Sequence, residues 1–266
     1  MMEPAARVYR SVYPSKNLVL AESCDYLFQI VEGGELRVRL PELGIFEVSG
    51  RSDILKTLLV NRMHDPAVAD AVRKYVNPSK DAVDIGANIG LFTILLASMV
   101  SEANRVLAVE PAPGALVHLK KNIEMNGYAS KVIIYEGVAA EIGGMFTLHV
   151  VEGMEEYSSL LHPAHPAIKS KKEQGVQVAG ETVDHLVERF ALTPGIIKID
   201  TEATELQVLR GAENTIVTHR PVILSELAGN LLSAAGASAD TMIRFLTARG
   251  YAIDCRESGN IVAIPT

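Results

Sequence analysis

The sequence predicts an α/β fold: a seven-stranded, mostly parallel sheet with helices on both faces, a C-terminal antiparallel hairpin, and a small β-rich N-terminal extension. Three observations predict it. From about residue 80 onward, short apolar runs alternate with amphipathic stretches, the pattern of strands buried on both faces and joined by crossover helices. Near the C-terminus two further strand-like runs flank Glu257-Ser258-Gly259-Asn260, a composition that makes a hairpin turn. Before residue 50 the hydrophobic period is two, as in half-exposed strands.

In the extension, Leu36-Arg37-Val38-Arg39-Leu40 and Ile45-Phe46-Glu47-Val48 alternate, with turn residues at Gly33-Gly34 and Pro41. A helix over 53–60 follows, then one over 67–75 with Pro66 at its first position, where the missing N–H breaks no hydrogen bond. Parallel strands are predicted at 82–85, 106–109, 132–135, 196–199 and 222–224, and helices at 89–101, 114–126, 181–190, 203–216 and 239–249. Runs at 251–254 and 261–264 form the closing hairpin. The segment 137–180 breaks the alternation, with Gly143-Gly144, an alternating run over 146–151 and a long polar stretch through Gln174. So long an insertion reads as a flap on the substrate side. The organisation expected is an extension over 1–62 and the main domain over 63–266.

A chain of 266 residues buries one full α/β core, and 48% hydrophobic with 21% charged residues excludes a disordered protein. With 32 acidic against 25 basic residues the formal charge is -7, which repels phosphate backbones and argues against a nucleic-acid partner. Lys169, Lys171 and Lys172, beside His162 and His165, read as a solvated loop. Cys24 and Cys255 lack Cys-x-x-Cys spacing and sit among apolar residues, so both are expected as reduced, packed thiols. Residues 1–14 contain Glu3, Arg7 and Arg10 and no apolar stretch of a secretion signal. The longest apolar run, 91–100, is shorter than the ~20 residues that span a bilayer. The expectation is a cytoplasmic protein with no membrane partner; self-association is left open.

In open α/β sheets ligands bind beyond the carboxyl ends of the strands, so the residues at those ends carry the chemistry. The first strand ends in Val83-Asp84-Ile85-Gly86-Ala87-Asn88-Ile89-Gly90. Its glycines allow close backbone approach, and the following helix N-terminus suits a carboxylate. A dinucleotide site would show Gly-x-Gly-x-x-Gly, which is absent. This form suits the amino-acid end of S-adenosyl-L-methionine (SAM), with Asp84 toward its ammonium, directly or through water, and the amides of Gly86, Ala87, Asn88 and Gly90 toward its carboxylate. The second strand ends in Glu110-Pro111, placing a carboxylate for two ribose hydroxyls and a residue that turns the chain. After the third strand, Gly137 and Val138 are small enough to flank an adenine.

The fourth strand carries Lys198-Ile199-Asp200-Thr201-Glu202-Ala203-Thr204-Glu205, and the fifth ends in Ser225-Glu226. Asp200, Glu202 and Glu226 are the candidate catalytic acids, because crowded carboxylates raise one another's pKa and yield a base near neutral pH. They also suit Mg²⁺, but the spacing does not require a metal and none is assigned. Glu205 reads as a helix-start acid, Lys198 as an ion-pair partner, and His185 as a helix-surface residue.

These residues make the chain resemble the FkbM-type SAM-dependent methyltransferases, which are class I, Rossmann-like enzymes. The match rests on the Asp84 to Gly90 block, Glu110-Pro111, Tyr157-Ser158-Ser159-Leu160, Glu181-Thr182-Val183-Asp184-His185-Leu186, and Lys198-Ile199-Asp200 through Val208-Leu209-Arg210-Gly211-Ala212. It covers about 60–230. The resemblance implies SAM-dependent O-methylation of a hydroxyl on a small molecule, sugar or polyketide, as in secondary metabolism. One departure is Ala203, where the family usually has Gly. Two other readings stand beside it: a non-catalytic SAM-binding or interaction protein, and an N-methyltransferase on another acceptor. Nucleic-acid N-methylation would call for an Asn/Asp-Pro-Pro-Tyr/Phe tip where the chain has Asp200-Thr201-Glu202-Ala203.

Overall fold

The apolar runs assemble as their periodicity requires. In a computed structural model that describes residues 28–30, 35–61, 63–162, 168, 171–226, 239–255 and 259–266, seven of them form one sheet. Cys24, Gly33-Gly34, His165, Lys169 and Glu257-Ser258 lie outside the described residues. The sheet strands are β4 (Asp81–Ile85), β5 (Val106–Glu110), β6 (Val132–Glu136), β10 (Pro194–Ile199), β11 (Val222–Glu226), β12 (Tyr251–Cys255) and β13 (Asn260–Pro265). Their order is β12-β13-β11-β10-β4-β5-β6. The hairpin folds back so that β13 is the antiparallel member, between β11 and the edge strand β12. β4 and β5 are buried along their whole length, as central strands covered on both faces are, and Asp81, Asp84 and Glu110 are buried with them.

The extension forms its own antiparallel sheet of β1 (Phe28–Ile30), β2 (Glu35–Leu40) and β3 (Gly44–Ser49), followed by α1 (Asp53–Asn61) and α2 (Pro66–Tyr75). Its apolar face is continuous with the main core, so Val38, Phe46 and Leu58 belong to the same buried cluster as Leu95 and Val106. The opposite face of the large sheet has its own cluster around Val83, Ile197 and Leu209. The remaining α-helices among the described residues are α3 (Leu91–Met99), α4 (Pro113–Met125), α5 (Val183–Arg189), α6 (Glu205–Arg210), α7 (Glu213–His219) and α8 (Ala239–Thr247). No helix among the described residues is long and apolar enough to cross a membrane.

Three expectations need correction. The helix expected over 203–216 is two, α6 and α7. Gly211 sits so close to Ala140 that a Cβ would lie 2.0 Å from its carbonyl oxygen, and the Asp184 carboxylate accepts the amides of Asn214 and Thr215 to start α7 afresh. The 137–180 insertion, expected as a flap on the substrate side with one alternating run over 146–151, carries more regular structure than that pattern announced. It builds a three-stranded sheet, β7-β9-β8, from β7 (Val138–Ala139), β8 (Gly144–Val151) and β9 (Glu173–Glu181). β9 therefore extends into the start of the expected 181–190 helix. Cys255 is a free, exposed thiol at the sheet edge rather than a packed one.

Candidate active site

A cavity of about 470 Å³ opens at the carboxyl ends of β4, β5, β10 and β11, within the size range of small-molecule sites. Of the residues singled out in the sequence, Gly86, Ala87, Asn88, Glu110 and Pro111 line it on one side. Gly137 and Val138 contribute next to them, and Asp200, Glu202 and Glu226 line it as well. Asp84 and Gly90 do not reach the wall.

The turn after β4 is built by contact with β10. Gly86 has φ 76°, and a Cβ there would lie 1.7 Å from the Asp200 carbonyl oxygen, so glycine is obligatory. Beneath it, Lys198 Nζ donates to the Gly86 carbonyl (2.9 Å) and lies 3.3 Å from Asp84 and 3.4 Å from Asp200. Burial alone would lower the Lys198 pKa, but the two aspartates hold it above its ordinary value and keep the ammonium charged. Asp84 is fully buried and also accepts the Thr93 hydroxyl at 2.6 Å. It therefore anchors Lys198 under the turn and does not line the cavity.

The turn amides also differ from expectation, because the turn satisfies itself. Gly86 and Ala87 donate to the Val109 carbonyl, Asn88 to Glu110 Oε2, Ile89 to the Asn88 side chain and Gly90 to the Ala87 carbonyl. Leu91 and Phe92, in the first turn of α3, line the cavity and bring the positive end of that helix to it. Gly90 (φ 93°) instead starts α3 and packs on Leu119.

Glu110 is held by two amides, Asn88 to Oε2 (2.7 Å) and Ala112 to Oε1 (2.8 Å), which leaves one lone pair on each oxygen for a pair of hydroxyls. Burial raises its pKa to about 7. This acid lies on the cavity wall beside the glycine turn. Gly137 cannot be larger, since a Cβ would come within 2.4 Å of the Ala179 carbonyl in β9.

Across the cavity, carboxylate oxygens of Asp200, Glu202 and Glu226 lie within 4.8 Å of one another, a spacing that also meets the requirement of a shared hard cation. Burial, then the Asp200 charge, raises Glu202 to about 9 and Glu226 to about 7. Glu205 is not merely a helix-start acid: fully buried, it accepts the amides of Thr201 (3.1 Å) and Ala203 (3.2 Å) and so clamps the β10 tip. The insertion closes over this tip, where Ser159 Oγ donates to the Glu202 carbonyl at 2.7 Å and Tyr157, Ser158 and Leu160 line the cavity.

Sequence reasoning missed the contribution of the N-terminal half. Asp53, Thr57 and His64 line the same cavity, as does Asn260 from β13. The Tyr157 hydroxyl donates to Asp53 (3.0 Å), and His64 Nδ1 meets the Thr57 hydroxyl at 3.0 Å, with burial lowering the histidine's pKa. Pro66 signalled a helix start in the sequence, but nothing there signalled that α2 packs against β11.

A seven-stranded sheet with one reversed strand, a glycine turn after its first central strand and an acid after the next are features of the Rossmann-like class I methyltransferase fold. The FkbM methyltransferase domain model matches residues 84–253, and the chain belongs to that family of SAM-dependent methyltransferases. The cofactor that goes with it is SAM. The chain is similar to Methyltransferase sdnD of Sordaria araneosa, 34% identical over 131 residues that make up 48% of this chain and 46% of that protein. It is 27% identical to Methyltransferase 1 of Beauveria bassiana (strain ARSEF 2860) over 149 residues, 50% of this chain and 58% of that one. The matched region thus spans about half the length of these relatives. A crystal structure of methyltransferase FkbM from Methylobacillus flagellatus KT superposes with a TM-score of 0.45 at 19% identity, covering 79% of this chain and 52% of that one.

Proposed function

We propose that the chain transfers a methyl group from SAM to a hydroxyl of a small-molecule, sugar or polyketide-type acceptor. The observation that supports this reading is the convergence of Asp200, Glu202 and Glu226 on the cavity that the glycine turn and Glu110 also line. In this reading Gly86, Ala87, Asn88 and Gly90 shape the cofactor turn over Asp84 and Lys198, Glu110 and Pro111 meet the ribose, and Gly137 and Val138 flank the adenine. Bound SAM supplies a methyl group on a sulfonium, electrophilic toward an oxygen lone pair. The protein holds the acceptor in line and removes its proton. Glu226, with a pKa of about 7, is partly ionised at neutral pH and is the base. Glu202, at about 9, stays protonated and relieves the charge that three adjacent carboxylates would otherwise carry.

Incubation with methyl-labelled SAM and a panel of sugars, glycolipids and polyketides tests this. The wild type labels an oxygen, and Glu226→Gln lowers kcat by about 10²- to 10⁴-fold while SAM affinity holds. SAM binding without transfer to any acceptor would leave a non-catalytic binding protein; label found on nitrogen would overturn the choice of hydroxyl.

A further inference from the structure

The β8–β9 hairpin carries a second set of ligating side chains, none of which lines the cavity. His149 in β8 pairs with Gly175, so Glu173, two residues earlier in β9, is its diagonal neighbour on the same face. Gly175 itself adds no side chain there. His162 comes from the segment beyond Ser159 and brings its ring to 4.1 Å, centroid to centroid, from that of His149. Both rings aim Nδ1 at one atom: Glu173 Oε1 lies 2.5 Å from His149 and 2.9 Å from His162.

Two imidazole nitrogens converging on one carboxylate oxygen form a concentrated donor set. Two protonated rings that close would repel, whereas a cation accepting a lone pair from each ring and from the carboxylate satisfies all three groups. Two histidines and a glutamate are a donor set typical of Zn²⁺, with water at the fourth position. Bonds of about 2.0–2.2 Å in a tetrahedron separate ligand atoms by roughly 3.4 Å, so the Glu173 oxygen moves away from each nitrogen by less than about 1 Å to admit the ion, and the three atoms already lie within 4.8 Å of one another. His162 is 82% exposed and Glu173 36%, which leaves them room to do so.

We propose that His149, His162 and Glu173 bind Zn²⁺, and that the ion staples the hairpin to the segment beyond Ser159. The consequence reaches the active site through the backbone. His149 and Ser159 exchange both hydrogen bonds (2.8 and 3.2 Å), and Ser159 Oγ holds the Glu202 carbonyl. A pinned hairpin thus fixes the wall that closes over the β10 tip.

The test uses the full chain without a histidine tag, stripped with chelator and titrated with ZnCl₂ in a calorimeter with excess Mg²⁺ present to occupy any carboxylate-only site. One equivalent of Zn²⁺ is expected, with a higher Tm for the loaded protein. His149→Ala, His162→Ala and Glu173→Gln each weaken the affinity at least about tenfold, while Glu202→Gln binds as the wild type does. Absence of Zn²⁺ uptake overturns the proposal. So does uptake that survives all three substitutions or disappears in Glu202→Gln.

Discussion

At the residue scale the acidic loop is held against its backbone preference. Glu202 (φ 53°) and Ala203 (φ 89°) are consecutive non-glycine residues in left-handed conformation, fixed by the Glu205 carboxylate from one side and Ser159 from the other. Ala203→Gly in ordinary buried backbone would cost about 1–2 kcal/mol through a lost methyl contact and a more flexible unfolded chain. Here, relief of a strain of about 1–2 kcal/mol offsets that cost. Ala203→Gly is therefore expected within about 0.5 kcal/mol of the wild type by denaturant unfolding, and Ala203→Val markedly destabilised; an ordinary loss in the glycine variant would refute the strain. The sequence marked Ala203 as the odd residue, because a glycine is usual there. It also marked Asp200, Glu202 and Glu226, since each lies at or just past the end of a strand. His64 and Asp53 carry no such positional signal, because their approach to the acids depends on how the extension docks.

At the element scale, that docking is done by α4. Asn122 and Asn126, one turn apart, act as a strand edge for β3. The Asn122 side chain accepts the Glu47 amide (2.7 Å) and donates to the Glu47 and Ile89 carbonyls (3.1 and 2.8 Å), while Asn126 accepts from and donates to Ile45. Asn122 is fully buried and joins the extension, α4 and Ile89 of the glycine turn. Asn122→Ala orphans these groups at about 1–3 kcal/mol each, so a large loss of unfolding free energy is expected together with weaker SAM binding. If stability falls and SAM affinity does not, the extension docks without supporting the cofactor turn. The strands of the large sheet and most helices were legible from periodicity to within a few residues, whereas β7 and β9 of the insertion were not. The break between α6 and α7 was not, because both of its causes, Ala140 and Asp184, lie far away in sequence.

At the scale of the whole molecule, the buried acids set a pH dependence. Glu110 and Glu226 titrate near 7 and Glu202 near 9 in the folded state, against 4.5 for an ordinary glutamate. Between these values the folded protein binds more protons than the unfolded chain, so stability falls as pH rises from about 4.5 through about 9. Tm is expected to decline across that window, and Glu202→Gln to flatten its upper half. An unchanged slope in the variant would show that Glu202 does not hold its proton. The sequence by itself determined the sheet, the glycine turn and the family, because a period of two or 3.6 residues and the residues at strand ends are local properties. Only the tertiary structure decided that Asp84 anchors Lys198 from below, that the turn satisfies its own amides, and that extension and insertion complete the cavity. Those outcomes depend on which distant groups meet, and burial then sets the charge of each acid.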